Sequence, residues 1–500
     1  MAESTNTPPP GTTDQAHYPA YAGIAPPAGG AHVSGAHVSG APDPRPGPNS
    51  RPSGPAGAGA SGGTGPTGAG GQPGTGPTSG TPPIGLPPRP TTVAETDLDP
   101  SFLEELSLKM VVSLGTISGN DLAERLRLPL AGVVEHAIGG LRRENLIEPV
   151  GGAQAVIGAA GINLRATERG AQRAHQITER SGYIGPAPVP LRAFDYALRQ
   201  QLSGRRNITR DLVWRRLAHL VLDDEVVDRV GSGVQSGGPI FLYGHAGNGK
   251  TAIAAGVARM LTGGVFVPFA VEVDGQVFRV FDSSVHHPLP PEAQPSARFD
   301  ERWVLCYPPF VQVGGELRLE QLDLLWNERQ RYYDCPIQVK AAGGVLLIDD
   351  FGRQQHRPDD LLNRWIVPLE TGVDYLTLIS GGQVALPFTP LLVFATNLEP
   401  KQLMDDAFLR RLPCKVGIPD PTVEAYREIF RRACGDSGVE YADSGYTYLI
   451  QRYYDQAGRP RRASQPRDLL RLLISCARYF GVAPQLTQPL IDAAATLYFV

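Results

Sequence analysis

The 500-residue sequence has few cysteines, few lysines and no long apolar segment, and each shortage excludes a class of protein. Its five cysteines are an odd number without paired spacing, which argues against a disulfide framework or a zinc site and for a reducing compartment: Cys306, Cys335, Cys414, Cys434 and Cys476. No apolar run approaches the roughly 18 residues of a membrane-spanning helix, and the start carries no basic-then-apolar leader. We therefore expect a soluble cytoplasmic protein without a membrane segment.

An excess of either charge is also missing, since the formal net charge at pH 7 is −4. That balance argues against a protein that coats nucleic acid with its whole surface, although it leaves room for a local basic face. Lysine is scarce, at five residues against 41 arginines, and Lys250 is the only lysine between Lys109 and Lys340. The isolated lysine marks position 250 for a role that arginine does not fill.

Apolar and charged side chains are scarce at the start of the chain. Residues 1–90 contain 20 glycines and 20 prolines, but only six charged residues and five Val, Leu, Ile or Phe. Such a segment cannot bury enough apolar surface to offset the entropy lost on ordering, and it lacks the Gly-X-Y period of collagen. We predict a disordered tail over residues 1–95. The rest of the chain has the composition of two or three globular domains.

Residues 96–182 show helical periodicity followed by a short hairpin pattern. The pattern predicts helices and strands in this order: helices Ser101–Leu114, Gly119–Leu126 (with Ser118 as N-cap) and Ala131–Glu144, strands Leu146–Val150 and Ile162–Ala166, and helix Glu168–Arg180. This order is typical of a winged helix-turn-helix, with residues 151–161 as the wing.

A winged helix-turn-helix often reads DNA through its second helix. Here the first turn of that helix offers Ala131, Gly132 and Val133, which are poor base-reading side chains. DNA binding through residues 97–182 therefore stays open beside a protein-docking or purely structural role, which we favour. Residues 183–225 are predicted to be a linker with helices Leu191–Ser203 and Asp211–Leu222.

A glycine-rich motif follows the apolar strand predicted at Pro239–Tyr243 and precedes the helix predicted at Ala252–Leu261. It matches G-x-x-x-x-G-K-S/T and consists of Gly244, His245, Ala246, Gly247, Asn248, Gly249, Lys250 and Thr251. In such a loop the glycines let backbone N–H groups wrap phosphates, and the helix that follows points its positive end at them. We expect Lys250 to reach the β- and γ-phosphates of ATP and Thr251 to supply a hydroxyl to Mg²⁺.

Two acids follow a second apolar strand. Val345–Ile348 is apolar throughout, as suits a strand buried on both faces, and it runs into Asp349 and Asp350. A phosphate-binding loop needs an acid on a neighbouring strand to hold Mg²⁺. Asp349 is therefore predicted to bind Mg²⁺, through water, and Asp350 to act as the general base that polarises the attacking water.

With these two motifs the sequence resembles the AAA+ ATPase family over Val226–Val500. Leu391–Asn397 resembles the sensor 1 strand, and the resemblance implies that Asn397 contacts the γ-phosphate or positions water. Asp406–Leu412 resembles the segment that carries an arginine finger into a neighbouring subunit's site, and Arg410 or Arg411 would be that finger, with Arg411 preferred. Gln465–Arg471 resembles sensor 2, which gives Arg467 a contact to the γ-phosphate.

Other segments extend the resemblance. Tyr375–Ile379 and Gln383–Pro387 resemble the pre-sensor 1 hairpin, although a plain extension of the sheet edge is an alternative. A further hairpin is predicted at Val271–Phe281, around Asp274-Gly275. The family commonly has Glu where this chain has Asp350, which makes slow or switch-like hydrolysis more plausible. The basic residues 459–462 are predicted to be a solvated loop, in preference to a phosphate or nucleic-acid contact.

The expected fold is α/β: a P-loop AAA+ core with a parallel sheet (226–420) and an α-helical lid (421–500), preceded by the winged-helix-like domain. The expected function is that of an ATP hydrolase which forms a homo-oligomeric ring and remodels a protein client, like bacterial AAA-family ATPases without an assigned client. Two alternatives remain: a DNA-directed ATPase or loader that uses the winged helix, and a slow ATP-dependent assembly switch.

Overall fold

The computed structural model describes residues 87–150, 161–203, 207–294, 298–403 and 410–499. Most of the tail predicted to be disordered and most of the predicted wing lie outside these ranges. In its described part the chain is a mixed α/β protein built on a parallel sheet. Every helix described is too short or too polar to cross a membrane.

The first described region alternates helices with three short strands. Its elements are α1 Val93–Thr96, α2 Pro100–Leu114, β1 Thr116–Ser118, α3 Gly119–Leu126, α4 Glu135–Arg143, β2 Ile147–Pro149, β3 Asn163–Ala166 and α5 Glu168–Arg180. Asp99 starts α2 by accepting a hydrogen bond from the Ser101 backbone N–H, and Gly115 ends it at a φ of 76°. Ser118 caps α3 as predicted, accepting from the Asp121 N–H at 3.1 Å. The strands form an antiparallel sheet in the order β1-β3-β2.

The second helix of the predicted helix-turn-helix begins later than the sequence indicated. Ala131 is extended (ψ 131°) and Gly132 has a φ of 78°, so regular helix starts at Glu135 instead of Ala131. A Cβ on Gly132 would lie 2.3 Å from the Thr91 carbonyl oxygen. This close approach by the preceding segment fixes the backbone and leaves room only for glycine.

The core of this region is completed by residues much further along the chain. Leu106, Val111 and Leu122 pack in one apolar cluster that also contains Val277 and Tyr332. The helices of the first region and a later sheet therefore share a core, a contact that periodicity cannot reveal.

A buried ion pair also connects the first region to later parts of the chain. The Arg302 guanidinium is held by Asp300 at 2.8–3.0 Å and donates to the carbonyl oxygens of Thr96 (3.1 Å) and Pro188 (3.0 Å). With both charges and the remaining donors satisfied, the pair fixes three distant segments in one geometry.

Three helices lead into the parallel sheet: α6 Leu191–Ser203, α7 Arg210–Leu217 and α8 Asp224–Ser236. The predicted helix Asp211–Leu222 is one turn too long, since α7 ends at Leu217. Leu220–Leu222 follow as irregular chain.

The strands from here on are β4 Val189–Pro190, β5 Ile240–Tyr243, β6 Val265–Pro268, β7 Ala270–Val273, β8 Gln276–Arg279, β9 Trp303–Cys306, β10 Phe310–Val313, β11 Leu325–Asn327, β12 Tyr332–Asp334, β13 Val345–Ile348, β14 Val373–Thr377, β15 Gln383–Pro387, β16 Leu391–Thr396 and β17 Cys414–Gly417. The helices are α9 Lys250–Met260, α10 Ile337–Lys340, α11 Pro358–Thr371, α12 Pro400–Leu403, α13 Val423–Ser437, α14 Asp443–Ile450, α15 Gln465–Phe480 and α16 Gln488–Tyr498.

The central sheet has the order β10-β13-β16-β5-β17 and all its pairs are parallel. Every residue of β13 and β16 is buried, and two apolar clusters cover the opposite faces of the sheet. Burial on both faces explains why these strands are continuous apolar runs in the sequence.

A second sheet, β11-β12-β8-β7-β4, is inserted between the motifs. Its hairpin β7–β8 turns at Asp274 and Gly275, both with positive φ (51° and 77°), as the Asp-Gly pair predicted. Strands β14 and β15 form the second predicted hairpin. After β10 the backbone turns at Gly314 and enters a short helical turn at Leu319–Leu322.

His286 lies in the loop between β8 and β9 and is only 1% exposed. Its Nδ1 accepts from the Asp282 backbone N–H at 2.9 Å, so its Nε2 is the atom that donates to the Lys340 carbonyl oxygen at 2.8 Å. Burial lowers the pKa of His286 to about 4, despite the opposing effect of these hydrogen bonds. The side chain is neutral in the fold and connects its loop to the end of helix α10.

We expect His286 to make the free energy of unfolding fall with acidification. Its folded pKa lies below its ordinary 6.5, so its contribution is present above pH 6.5 and is lost as the pH falls towards 4. The loss amounts to about 3 kcal/mol at most. Urea unfolding across this window checks the slope, and a His286→Gln variant, which keeps a donor, should show a flatter dependence. An equal slope in both proteins would contradict the prediction.

Candidate functional site

The glycine-rich motif forms a tight loop between β5 and α9. Gly244, Gly247 and Gly249 have φ values of 139°, 85° and 84°, a region in which side chains are strained. A Cβ on Gly244 would lie 2.3 Å from the Ile418 carbonyl oxygen, and one on Gly247 would lie 2.6 Å from the Ser464 Oγ. The loop is therefore held between the end of the sheet and the C-terminal helices.

Lys250, the first residue of α9, is buried and bridges two strand ends. Its Nζ donates to the carbonyl oxygens of Gly244 (2.8 Å) and His245 (3.0 Å) and to the Asn397 Oδ1 (2.6 Å). Burial lowers the pKa of Lys250, while the nearby acids Asp349 and Asp350 oppose the effect. The structure thus brings the predicted lysine and the predicted sensor asparagine into direct contact.

Thr251 and Asp349 meet beside this lysine. The Thr251 Oγ1 donates to the Asp349 Oδ2 at 2.8 Å, and the Gln312 Nε2 donates to the same oxygen at 3.0 Å. Hydroxyl and carboxylate oxygens are the donors that Mg²⁺ prefers, usually with only one or two carboxylates from the protein. In the described ranges, no group of three or more His, Cys, Asp or Glu could hold a metal ion. The donors present fit Mg²⁺ better than zinc.

Asp350 is exposed and stands next to Asn397. Its φ of 47° lies in the left-handed region, and its Oδ1 accepts from the Asn397 Nδ2 at 3.2 Å. Asn397 therefore contacts Lys250 through its oxygen and Asp350 through its nitrogen. The single amide fixes the lysine and the acid relative to each other.

The sheet topology explains why these residues meet. Strands β13, β16 and β5 are adjacent and parallel, so their carboxyl ends share one edge. Asp349, Asn397 and Gly244 each follow the end of one of these strands. The carboxyl edge of a parallel sheet is where ligands bind in open α/β folds.

A cavity of about 740 Å³ extends from this edge towards the C-terminal helices. It is lined by the loop and by Asp349, Asp350 and Asn397. Its other walls carry apolar side chains and arginines: Leu220, Val221, Leu222, Ile429, Ala433, Arg432, Arg467 and Arg471. Arg467, in the first turn of α15, is exposed and lines the cavity, and its contact to the γ-phosphate stays a prediction.

The basic residues 459–462 are not a solvated loop, and that prediction was wrong. The Arg461 and Arg462 side chains are 22% and 18% exposed and form ion pairs with Asp455 and Asp420. Directly after this loop, the Ser464 N–H donates to the Gly247 carbonyl oxygen at 2.8 Å. The ion pairs with Asp455 and Asp420 hold these arginines half-buried, and Arg462 lies next to Gly247.

The predicted finger residues lie apart from the cavity. Arg410 is exposed, and the Arg411 Nε donates to the Glu370 Oε1 at 2.7 Å. Among the described residues that line the cavity, neither arginine is present. A role for either one in a neighbouring subunit's site stays a prediction.

Sequence reasoning missed several residues of the site. Gln312 belongs to β10, whose pairing with β13 places it beside Asp349. Asp420 follows β17, and Leu220–Leu222 were assigned to a helix. No motif marks these positions, because only the sheet order and the packing of the C-terminal helices bring them to the cavity or to the residues that line it.

Comparison with known proteins gives limited likeness. A domain of unknown function, DUF8689, matches residues 422–497, and no curated protein matches the chain. The RuvB Holliday junction branch migration motor of Thermotoga maritima is 14% identical and aligns over 55% of this chain and 69% of its own, with a TM-score of 0.33. NtrX from Brucella abortus is 14% identical over 61% of this chain and 62% of its own, with a TM-score of 0.37. The structure of NtrX in complex with ADP is 14% identical over 74% of this chain and 69% of its own, with a TM-score of 0.34. Likeness at this level assigns neither a family nor a function.

Proposed function

We propose that the chain is an AAA+ ATPase that binds ATP with Mg²⁺ in this cavity and hydrolyses it. One observation carries the proposal: Lys250 contacts Asn397 at 2.6 Å and Thr251 contacts Asp349 at 2.8 Å, at the first turn of one helix. A lysine, a hydroxyl and a carboxylate at a helix N-terminus behind a glycine loop suit a nucleoside triphosphate and its metal.

Each residue has a defined role in this proposal. Lys250 and the N-terminus of α9 bind the phosphates, and Thr251 with Asp349 holds Mg²⁺. Bound Mg²⁺ supplies positive charge that neutralises the phosphate oxygens. Asp350 takes a proton from the attacking water, and Asn397 orients the Asp350 carboxylate through its Nδ2. Arg467, which lines the same cavity, contacts the γ-phosphate.

Apolar residues of the cavity wall suit the base of the nucleotide. Leu220, Leu222 and Ile429 line the same cavity as the glycine-rich loop. A site with a largely apolar wall and a few convergent polar groups is typical of small-ligand binding. The cavity volume of about 740 Å³ is large enough for a nucleotide.

The wider organisation belongs to the same proposal. Residues 226–420 form the ATPase core and 421–500 its helical lid, with the linker 183–225 and a winged-helix-like domain at 96–182 before them. Subunits assemble into a ring in which Arg411 or Arg410 completes a neighbour's site. The separation of Arg411 from its own cavity supports this assignment.

We further propose a protein client. Ile379 lies in the turn of the β14–β15 hairpin and is 69% exposed, and Tyr375 on β14 is also exposed. Exposed apolar side chains at a hairpin tip suit contact with protein. By contrast, α4 exposes Glu135 beside Arg142 and Arg143, a mixture of charges that gives DNA no clear preference.

Dependence on Mg²⁺ is the direct test of this function. We expect phosphate release by the purified chain to fall at least about a hundredfold on chelation with EDTA and to return when Mg²⁺ is added back. Thr251→Ala should raise the Mg²⁺ concentration needed, whereas Thr251→Ser, which keeps the hydroxyl, should not. Turnover that is insensitive to EDTA, or absent at every protein concentration, would sink the proposal.

A further inference from the structure

Asp420 joins the glycine-rich loop to the segment that carries Arg467. Its Oδ1 accepts from the Asn248 Nδ2 at 2.7 Å and lies 3.2 Å from the His245 Nδ1. The same oxygen forms an ion pair with the Arg462 Nη1. One carboxylate therefore meets two residues of the loop and one residue of the segment leading into α15.

Asn248 closes the connection from the other side. It is 3% exposed, its Nδ2 also donates to the Pro419 carbonyl oxygen at 3.2 Å, and its Oδ1 accepts from the Ala463 N–H at 3.3 Å. All the amide's contacts are therefore made outside the loop to which it belongs. Asn248 gives the loop a fixed geometry with respect to residues 419–463.

The sheet anchors Asp420 itself. It lies three residues after β17, and the Ile418 N–H donates to the Tyr243 carbonyl oxygen at 2.7 Å, directly before the glycine-rich loop. Burial alone would raise the pKa of Asp420, but the hydrogen bonds from Asn248 and Arg462 and the nearby His245 lower it. The carboxylate is thus an ionised group on the rigid edge of the core.

We propose that Asp420 is a positioning residue that couples the shape of the glycine-rich loop to the placement of α15 over the cavity. This inference rests on the proposed nucleotide site. Asp420 holds Arg462 five residues before Arg467, so it sets where the arginine wall stands relative to the phosphate loop. A site preorganised in this way binds its ligand more tightly, because less ordering is left to occur on binding.

The test is the equilibrium dissociation constant for ADP, together with KM and kcat for ATP. We expect Asp420→Ala to raise the dissociation constant and KM about tenfold, with a change in kcat below about threefold. Asp420→Asn keeps an oxygen that accepts from Asn248 and Arg462, so it should recover part of the affinity. Asp455→Ala is the matched control, since it removes the acid that pairs with Arg461, the residue directly before Arg462.

Three outcomes would overturn the inference: equal effects of Asp420→Ala and Asp455→Ala, a loss of kcat without a change in KM, or no recovery with Asp420→Asn. If Asp420→Ala does not fold, a double-mutant cycle of Arg462→Ala and Asn248→Ala replaces it. Effects of the two substitutions on ADP affinity that simply add would contradict coupling. Failure of the wild-type chain to bind ADP would instead reject the nucleotide site itself, so the two failures are distinguishable.

Discussion

Replacement of Lys250 by alanine is expected to lower ATP turnover at least about a hundredfold, the size of effect seen when one preorganised charge-stabilising group is removed. The Nζ is a buried cation that contacts Asn397 and lies near Asp349 and Asp350, and its three hydrogen bonds also hold the loop and the β16 end together. Alanine removes the charge and these bonds at once. Steady-state phosphate release at saturating Mg²⁺ measures the loss.

The matched control for this prediction is Lys401→Ala, because Lys401 is an exposed lysine on α12. We expect this variant to keep wild-type turnover. Thermal unfolding without nucleotide separates a lost binding group from a lost fold, since helix α9 has further apolar anchors in the core. Unchanged turnover in the Lys250→Ala protein would reject the assignment of the site.

Asp350→Asn should reduce kcat by about 10²–10⁴ while ATP still binds. An amide cannot take the proton of the attacking water, but its oxygen can still accept from the Asn397 Nδ2. The φ of 47° at this position is one that asparagine tolerates well, so the backbone should not change. Single-turnover hydrolysis and equilibrium ATP binding, measured on the same protein, separate the two effects.

Asp359→Asn is the control for loss of an acid, because Asp359 is a solvent-accessible acid in the first turn of α11, paired with Arg357. A variant at Asp350 that hydrolyses ATP normally would show that another group is the base. Negligible turnover by the wild-type chain, with tight ATP-induced oligomers, would favour the slow assembly switch. A stable ATP-bound Asp350→Asn protein also offers a trap for co-purifying the client.

Local patterns predicted the elements that carry strong local signals. The Ser118 cap, the continuous apolar strands β13 and β16, and the Asp-Gly turn of β7–β8 each appear where the sequence indicated them. Each depends on a few neighbouring residues, so it can be read without knowing the fold. The two hairpins and the strand–loop–helix order around Lys250 belong to the same class.

The errors lie where distant segments determine the backbone. Regular helix begins at Glu135 because Thr91 packs against Gly132, and α7 stops at Leu217, so that Leu220–Leu222 line the cavity. Arg462 resembled a solvated residue by its local sequence, but Asp420 lies beside it in the fold. Periodicity has no access to such contacts, because their partners lie tens of residues away.

The sequence by itself determined that Lys250 and Thr251 stand between a glycine loop and a helix and that Asp349, Asp350 and Asn397 each follow a buried strand, since strand–loop–helix chemistry is local. Only the tertiary structure decided which of these ends meet, because strand order depends on the packing of both sheet faces. It also decided that Asp420, Asn248 and Arg462 form one polar group, since three side chains about 170 and 40 residues apart converge only when the C-terminal helices pack onto the sheet edge.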